Sequence, residues 1–111
     1  MAFRRVARVD DNQKVIVAAL RKVGAIVKHC HVIKNLFDII VAHQGIVYCM
    51  EIKDGAKFPK KFFKMNQVEK DKWIQSKLEP GEIICKEDFE SVGVTYHIVY
   101  DIESALKVIN S

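Results

Sequence analysis

Three charged side chains interrupt the largely apolar sequence between residues 37 and 53: Asp38, Glu51 and Lys53. Placing an ionised side chain in a half-buried strand is unfavourable unless the charge is paired, solvated or used. Two carboxylates at one place can bind a divalent cation such as Mg²⁺, which takes few carboxylate oxygens and keeps several waters. A bound cation polarises a phosphoryl oxygen and lowers the pKa of its water, and a neighbouring ammonium stabilises developing negative charge. These residue types therefore suit phosphate-ester chemistry if the fold brings them together.

The same stretch has the pattern of a β-hairpin. Residues 37–42 and 46–52 are rich in β-branched and apolar side chains, which favours two strands. Gln44 and Gly45 between them suit a two-residue turn, the commonest hairpin connection.

A two-residue turn places Ile39 opposite Met50 and Asp38 opposite Glu51, and side-chain alternation puts Lys53 on the face of Glu51. Opposed residues have Cβ atoms roughly 4.5–5.5 Å apart, so like charges there destabilise the pair. Both a metal site and a surface cluster of salt bridges fit this register.

Elsewhere the sequence alternates between helical and extended patterns. A capping-box-like start at Asp10 and Gln13 precedes apolar residues at helical spacing, and Asp101 is suited to cap a final helix. The predicted elements are a helix over 11–23, strands over 25–33, 37–42 and 46–52, a helix over 65–79, a loop or irregular insertion over 80–93, a strand over 94–100 and a helix over 102–110. This order predicts an α/β fold, a mixed sheet with flanking helices, in one domain over residues 1–111.

Composition restricts the class of protein. The 111 residues are 50% hydrophobic, which favours one globular domain over a disordered chain. The longest apolar run, residues 15–20, is too short to cross a bilayer, and no signal segment follows the N-terminal arginines. Three separated cysteines without a CxxC pair argue against a disulfide framework or a zinc ribbon. We therefore expect a soluble cytoplasmic protein with no membrane partner.

Positive charge concentrates directly after the hairpin. The net charge is +4, and residues 53–64 alone carry five lysines against one acid. On charge alone, both a polyanion such as nucleic acid and a solvated loop are compatible with this segment. Its phenylalanines, Phe58, Phe62 and Phe63, would either contact bases or anchor the segment to the core. Trp73 is expected to be a packing residue rather than a base-stacking platform.

The acid at the start of a strand, the hairpin and the triplet "EIK" at residues 51–53 together resemble the D…(D/E)xK signature of the PD-(D/E)XK nuclease superfamily. The predicted element order matches the restriction-endonuclease-like αβββαβ core of that superfamily. The stretches "RVDDNQKVIVAALRKVGAIV", "MEIKDG" and "NQVEKDKW" are also similar to small stand-alone nuclease domains of the VRR type, found in phages and bacteria and related to Holliday-junction resolvases. The resemblance runs from about Arg8 to Trp73 and implies a metal-dependent endonuclease that hydrolyses DNA phosphodiester bonds.

The resemblance implies roles for particular residues. Asp38 and Glu51 would bind Mg²⁺ or Mn²⁺ together with the backbone carbonyl of Ile52. Lys53 would orient or activate the attacking water and stabilise the developing charge. Gln67 matches a glutamine that opens the second helix of the family and lies near its site.

The resemblance also implies a DNA partner, with branched or junction DNA as a candidate substrate. A homodimer is expected because cutting both strands of a symmetric junction needs two sites. Asn12 and Gln13 match the polar opening of the family's first helix and are candidate nucleic-acid contacts. The expected phosphate contacts in the basic segment are Lys57, Lys60, Lys61 and Lys64.

One difference from the family leaves alternatives open. Relatives often carry a metal-binding glutamate on the first helix, where this chain has Val15. A second hypothesis is therefore a non-catalytic nucleic-acid-binding module on a degenerate nuclease fold, and a third is a protein-interaction subunit that uses the sheet edge. A zinc site at His29, Cys30 and His31 is a further alternative, although Cys30 would point away from both histidines on a strand.

Overall fold

The computed structural model describes residues 11–110. The predicted cap Asp10 and the N-terminal arginines lie outside the described residues. The elements, in chain order, are α1 (Asp11–Lys22), β1 (Ile26–His29), β2 (Ile39–His43), β3 (Ile46–Ile52), two 3₁₀ turns (Gly55–Lys57 and Lys60–Lys64), α2 (Gln67–Gln75), α3 (Pro80–Ser91), β4 (Tyr96–Val99) and α4 (Ile102–Asn110). Within residues 11–110, no helix is long and apolar enough to cross a membrane.

The strands form a mixed sheet in the order β1-β2-β3-β4, with β1–β2 and β2–β3 antiparallel and β3–β4 parallel. Antiparallel neighbours need only short connections, whereas a parallel pair needs a crossover. The 3₁₀ turns, α2 and α3 lie between β3 and β4 in sequence and supply that crossover. The predicted α/β fold, with a mixed sheet and flanking helices, is confirmed.

Side-chain alternation divides β3 between the two faces of the sheet. Met50 and Ile52 belong to the core that α1 and α4 cover. Cys49 belongs to a second core, to which α3 contributes Cys85. Because successive side chains of a strand point to opposite faces, Glu51 shares the face of Cys49 and lies under α3.

The prediction of a loop or irregular insertion over residues 80–93 is wrong, because residues 80–91 form helix α3. Pro80 and Gly81 suggested a chain break, but proline is well tolerated in the first turn of a helix, where its missing N–H has no partner to lose. Glu79 and Glu82 form a capping box around that turn, each carboxylate accepting the backbone N–H of the other residue. The sequence signal for this helix was therefore present.

The first strand is shorter than predicted. It ends at His29, and the chain then turns through residues 31–36 instead of continuing to residue 33. Asn35 in this turn has a φ of 62°, a left-handed conformation that asparagine tolerates better than most residues. The turn brings the chain back antiparallel to β1, so that residue 38 enters the sheet beside β3.

Candidate active site

The hairpin has the predicted register. Ile39 pairs with Met50, and His43 pairs with Ile46 next to the turn. Gln44 has a φ of 50° and Gly45 a φ of 82°, the positive values that the mirror-image turns of tight hairpins require. Local turn chemistry thus fixes which residues of β2 and β3 lie opposite each other.

Asp38 lies just before β2, and both its backbone and its side chain form hydrogen bonds with the last residues of β3. Its N–H donates to the carbonyl of Met50 at 3.0 Å. Its Oδ2 accepts the N–H of Ile52 at 2.8 Å. The carboxylate is therefore held beside the backbone that joins Glu51 to Lys53, where the two-residue turn predicted it.

Glu51 is an acidic residue buried in the sheet, with 5% of its surface exposed. It lies in β3, and the hydroxyl of the buried Tyr96 on β4 donates to its Oε1 at 3.3 Å. Its carboxyl group also interacts electrostatically with that of Asp38. The two acids predicted from the register are thus close enough to affect each other's ionisation.

Lys53 follows the last residue of β3 and shares the face of Glu51. Its backbone N–H donates to the carbonyl of Val99 at 2.9 Å, which continues the parallel pairing with β4. Its Nζ lies 3.9 Å from Oε2 of Glu51 and 2.8 Å from Oε1 of Glu82. The Lys53 side chain is 19% exposed, so the ammonium lies where the buried acids meet solvent.

Glu82, on the first turn of α3, is a member of this cluster that was not predicted from the sequence. Its carboxylate contacts Lys53 and also hydrogen-bonds with the carboxyl group of Glu51. The Glu79–Glu82 spacing after a predicted helix, with proline between them, is the signal that would have indicated a helix start here. Tyr96 was not predicted either, because the register of β4 on β3 joins residues far apart in the sequence.

Burial and mutual repulsion alter the protonation of the three carboxyl groups. Burial, the charge of Asp38 and a hydrogen bond with Glu82 raise the pKa of Glu51 to about 9. Burial also raises the pKa of Asp38, although its hydrogen bonds act in the opposite direction. Burial opposes ionisation of Glu82, but hydrogen bonds with Glu51 and Lys53 outweigh it and lower the pKa. At neutral pH Glu51 therefore retains a proton, which offsets the excess of carboxyl groups over the single ammonium.

The donor set suits a hard divalent cation. A cation bound between Asp38 and Glu51 would replace the proton on Glu51 in offsetting the excess of carboxyl groups over the ammonium of Lys53. Mg²⁺ needs only one or two carboxylates when waters complete its coordination shell. The third predicted metal ligand is the backbone carbonyl of Ile52. The N–H of the same residue donates to the carboxylate of Asp38, which keeps the two close together. Within residues 11–110, no three His, Cys, Asp or Glu side chains are grouped so that they could hold a metal ion by themselves. The fit therefore depends on two carboxylates, a backbone carbonyl and water.

The other polar residues predicted for the site, Gln67, Asn12 and Gln13, differ in their burial and in their hydrogen-bond partners. The Gln67 side chain is exposed on α2 and donates to Asp71 on the same helix at 2.8 Å. Asn12 donates to the carbonyls of Lys53 at 2.7 Å and Tyr100 at 3.2 Å, which ties α1 to the ends of β3 and β4. Gln13 is buried, with its side chain 3.1 Å from His29. These contacts tie α1 to the sheet, and a role of Asn12 and Gln13 in nucleic-acid binding stays a prediction.

The basic segment consists of the two 3₁₀ turns that follow Lys53, and it is anchored by aromatic rings. Phe62 is fully buried, and its ring centroid lies 5.1 Å from that of Trp73 and 5.2 Å from that of Tyr100. Phe58 joins the same cluster, and so does Phe63, whose ring contacts that of Phe62 while 49% of the residue is exposed. Trp73 packs against this segment, as predicted. The segment's exposed lysines are Lys57, Lys60, Lys61 and Lys64.

The alternative zinc site has no support in the structure. The rings of His29 and His31 meet edge to face, with centroids 5.5 Å apart. Cys30 packs with the core under α3, and burial raises the pKa of its thiol, which disfavours the thiolate that zinc binds. The three side chains do not converge on one point.

Comparisons with known proteins support the fold. No protein-family model matches this chain, and no curated protein sequence matches it. Among solved structures, one described as a "VRR_NUC domain" is similar, with a TM-score of 0.56. The alignment covers 88% of this chain and 89% of that chain, at 18% sequence identity. The chain therefore has the fold of a VRR_NUC domain, which is the fold that the sequence resemblance predicted.

Proposed function

We propose that this protein is a metal-dependent endonuclease that hydrolyses phosphodiester bonds in DNA. The observation that carries the proposal is the meeting of Asp38, Glu51 and Lys53 on one face of the sheet, beside solvent. A purely structural ion pair would need one acid beside the lysine, and a second buried acid destabilises the folded protein unless it is used. The similarity to a VRR_NUC domain supports the same class of reaction.

Each residue of the site would have a separate role in the reaction. Asp38, Glu51 and the carbonyl of Ile52 would hold Mg²⁺ or Mn²⁺, which would supply a water of lowered pKa and polarise the phosphoryl oxygen. The ammonium of Lys53 lies at the solvent edge of the acids, where it would orient the water and stabilise negative charge on the phosphate. Tyr96 holds the carboxyl group of Glu51 in place through its hydroxyl.

The basic segment would bind the DNA backbone. It follows Lys53 directly in the chain, and its four lysines are exposed. Each phosphate that a lysine neutralises releases condensed counterions, which favours binding at low salt. Branched or junction DNA is the candidate substrate, and a homodimer would provide the two sites needed to cut both strands of a junction.

The test is cleavage of supercoiled, linear and branched DNA with Mg²⁺ and with Mn²⁺. We expect cleavage that EDTA abolishes and that falls at least about 100-fold in Asp38→Ala and Lys53→Ala, since each removes a group the chemistry needs. Glu87→Gln, an exposed acid on α3, is the matched control and should retain wild-type activity. No cleavage with either metal, or full cleavage by both variants, would reject the proposal.

One observation favours a second candidate, a nucleic-acid-binding module without catalysis. Val15 on α1 is 49% exposed and offers no carboxylate where relatives often have one. This candidate predicts salt-sensitive DNA binding that Asp38→Ala leaves unchanged, and no heat on titration with Mg²⁺ or Mn²⁺. The cleavage and titration experiments together separate the two.

A further inference from the structure

The ammonium of Lys53 has a closer partner than the acid of its own motif. Oε1 of Glu82 lies 2.8 Å from Nζ of Lys53, whereas Oε2 of Glu51 lies 3.9 Å away. The Lys53 backbone is fixed by Val99 and Asn12, but a lysine side chain has four flexible carbons between the backbone and the charge. The position of the ammonium therefore depends on the carboxylates that contact it.

We propose that Glu82 is the positioning residue for Lys53, holding its ammonium beside Glu51 in the geometry that the reaction needs. The inference rests on the proposed nuclease function and adds to it a residue from outside the hairpin. Glu82 acts through Lys53 and does not itself contact the reacting phosphate.

Glu82 is itself held in place. The same Oε1 that accepts from Lys53 also accepts the backbone N–H of Glu79 at 2.9 Å, at the first turn of α3. Carboxylates are stabilised at helix N-termini by the helix dipole and by unpaired N–H groups. Its side chain is 20% exposed, so water screens the ion pair only partly.

The loop before Asp38 contacts the start of α3. Gly81 lies against Oδ1 of Asn35, so the first turn of α3 packs against the end of that side chain. The loop that ends at Asp38 therefore also contacts the helix that carries Glu82.

Glu82→Gln separates this role from helix capping. Glutamine at the third helical position still accepts the N–H in a capping box, so the helix start is preserved, but the charge that holds Lys53 is removed. We expect kcat for cleavage to fall about 10- to 100-fold, as misplacement of a catalytic group does. KM for DNA, Mn²⁺ affinity by calorimetry and the unfolding temperature should stay close to wild type. Glu87→Gln, on the same helix and exposed, is the matched control.

A double-mutant comparison tests whether Glu82 acts through Lys53. Groups that act as a unit are non-additive, so Glu82→Gln/Lys53→Ala should be no slower than Lys53→Ala alone. The inference would be overturned if Glu82→Gln had wild-type kcat, or if the losses of the two single variants added fully in the double variant. It would also be overturned if weaker Mn²⁺ binding by Glu82→Gln accounted for its slower rate. Full activity of both Asp38→Ala and Lys53→Ala would instead reject the proposed function, whereas an inactive Lys53→Ala beside a fully active Glu82→Gln would reject only the role of Glu82.

Discussion

The hydroxyl of Tyr96 lies 3.3 Å from Oε1 of Glu51, and both residues are buried. The contact joins β4 to β3 across 45 positions in the sequence. Burial and the nearby charge of Glu51 raise the pKa of the Tyr96 hydroxyl, which favours the protonated form that donates this bond. This bond fixes one carboxyl oxygen of Glu51 and leaves the other directed toward Lys53.

Replacing Tyr96 by phenylalanine should loosen the carboxyl group of Glu51. The change removes the hydroxyl and keeps the ring that packs in the core under α3. We expect a loss of about 1 kcal/mol in the free energy of unfolding, measured with urea, because a buried hydrogen bond typically contributes that much. Cleavage should fall in parallel with weaker Mn²⁺ binding. Tyr48→Phe, on the same sheet, is the control and should leave Mn²⁺ binding unchanged.

Glu51 should make the metal-free protein less stable at alkaline pH. Its pKa is about 9 in the folded protein against an ordinary value of 4.5, so between these values the folded state retains a proton that the unfolded state has released. Stability therefore falls as pH rises through this window, since raising the pH favours the state with fewer bound protons. In EDTA, Glu51→Gln should unfold at a higher temperature than wild type, by a margin that widens from pH 5.5 to pH 8.

The control for this prediction is Glu87→Gln, which makes the same replacement of an acid by its amide at an exposed position. Its unfolding temperature should follow that of wild type at both pH values. A margin for Glu51→Gln that stays constant or narrows toward pH 8 would contradict the prediction.

The sequence predicted the hairpin part of the site but not the helix part, and the reason is physical. Asp38 and Glu51 meet because a two-residue turn fixes the register locally, and Gln44 and Gly45 are residues that allow that turn. Glu82 reaches Lys53 only because α3 packs on the sheet, and packing between distant elements leaves no local pattern. The capping box that begins α3 was visible, but Pro80 and Gly81 were interpreted as a break.

Two neighbouring phenylalanines of the basic segment should behave differently when truncated. Phe62 is fully buried among aromatic rings, so Phe62→Ala should cost about 3–5 kcal/mol in the free energy of unfolding. Phe63 is 49% exposed and contacts the ring of Phe62, so Phe63→Ala should lose less stability than Phe62→Ala but bind single-stranded DNA more weakly, by about 1–3 kcal/mol if the ring stacks on a base. Urea unfolding and fluorescence anisotropy in EDTA measure the two effects. Equal stability losses in both variants would contradict the distinction.

The lysines of the basic segment should determine how strongly DNA binding depends on salt. In EDTA, Lys60→Gln/Lys61→Gln should weaken binding to all sequences alike and reduce the slope of log affinity against log salt by about one for each phosphate that is no longer neutralised. Lys107→Gln serves as the control, since it is an exposed lysine on α4, the helix that covers the face of the sheet opposite Glu51. An unchanged slope in the double variant, or an equal change in the control, would show that the segment does not bind the DNA backbone.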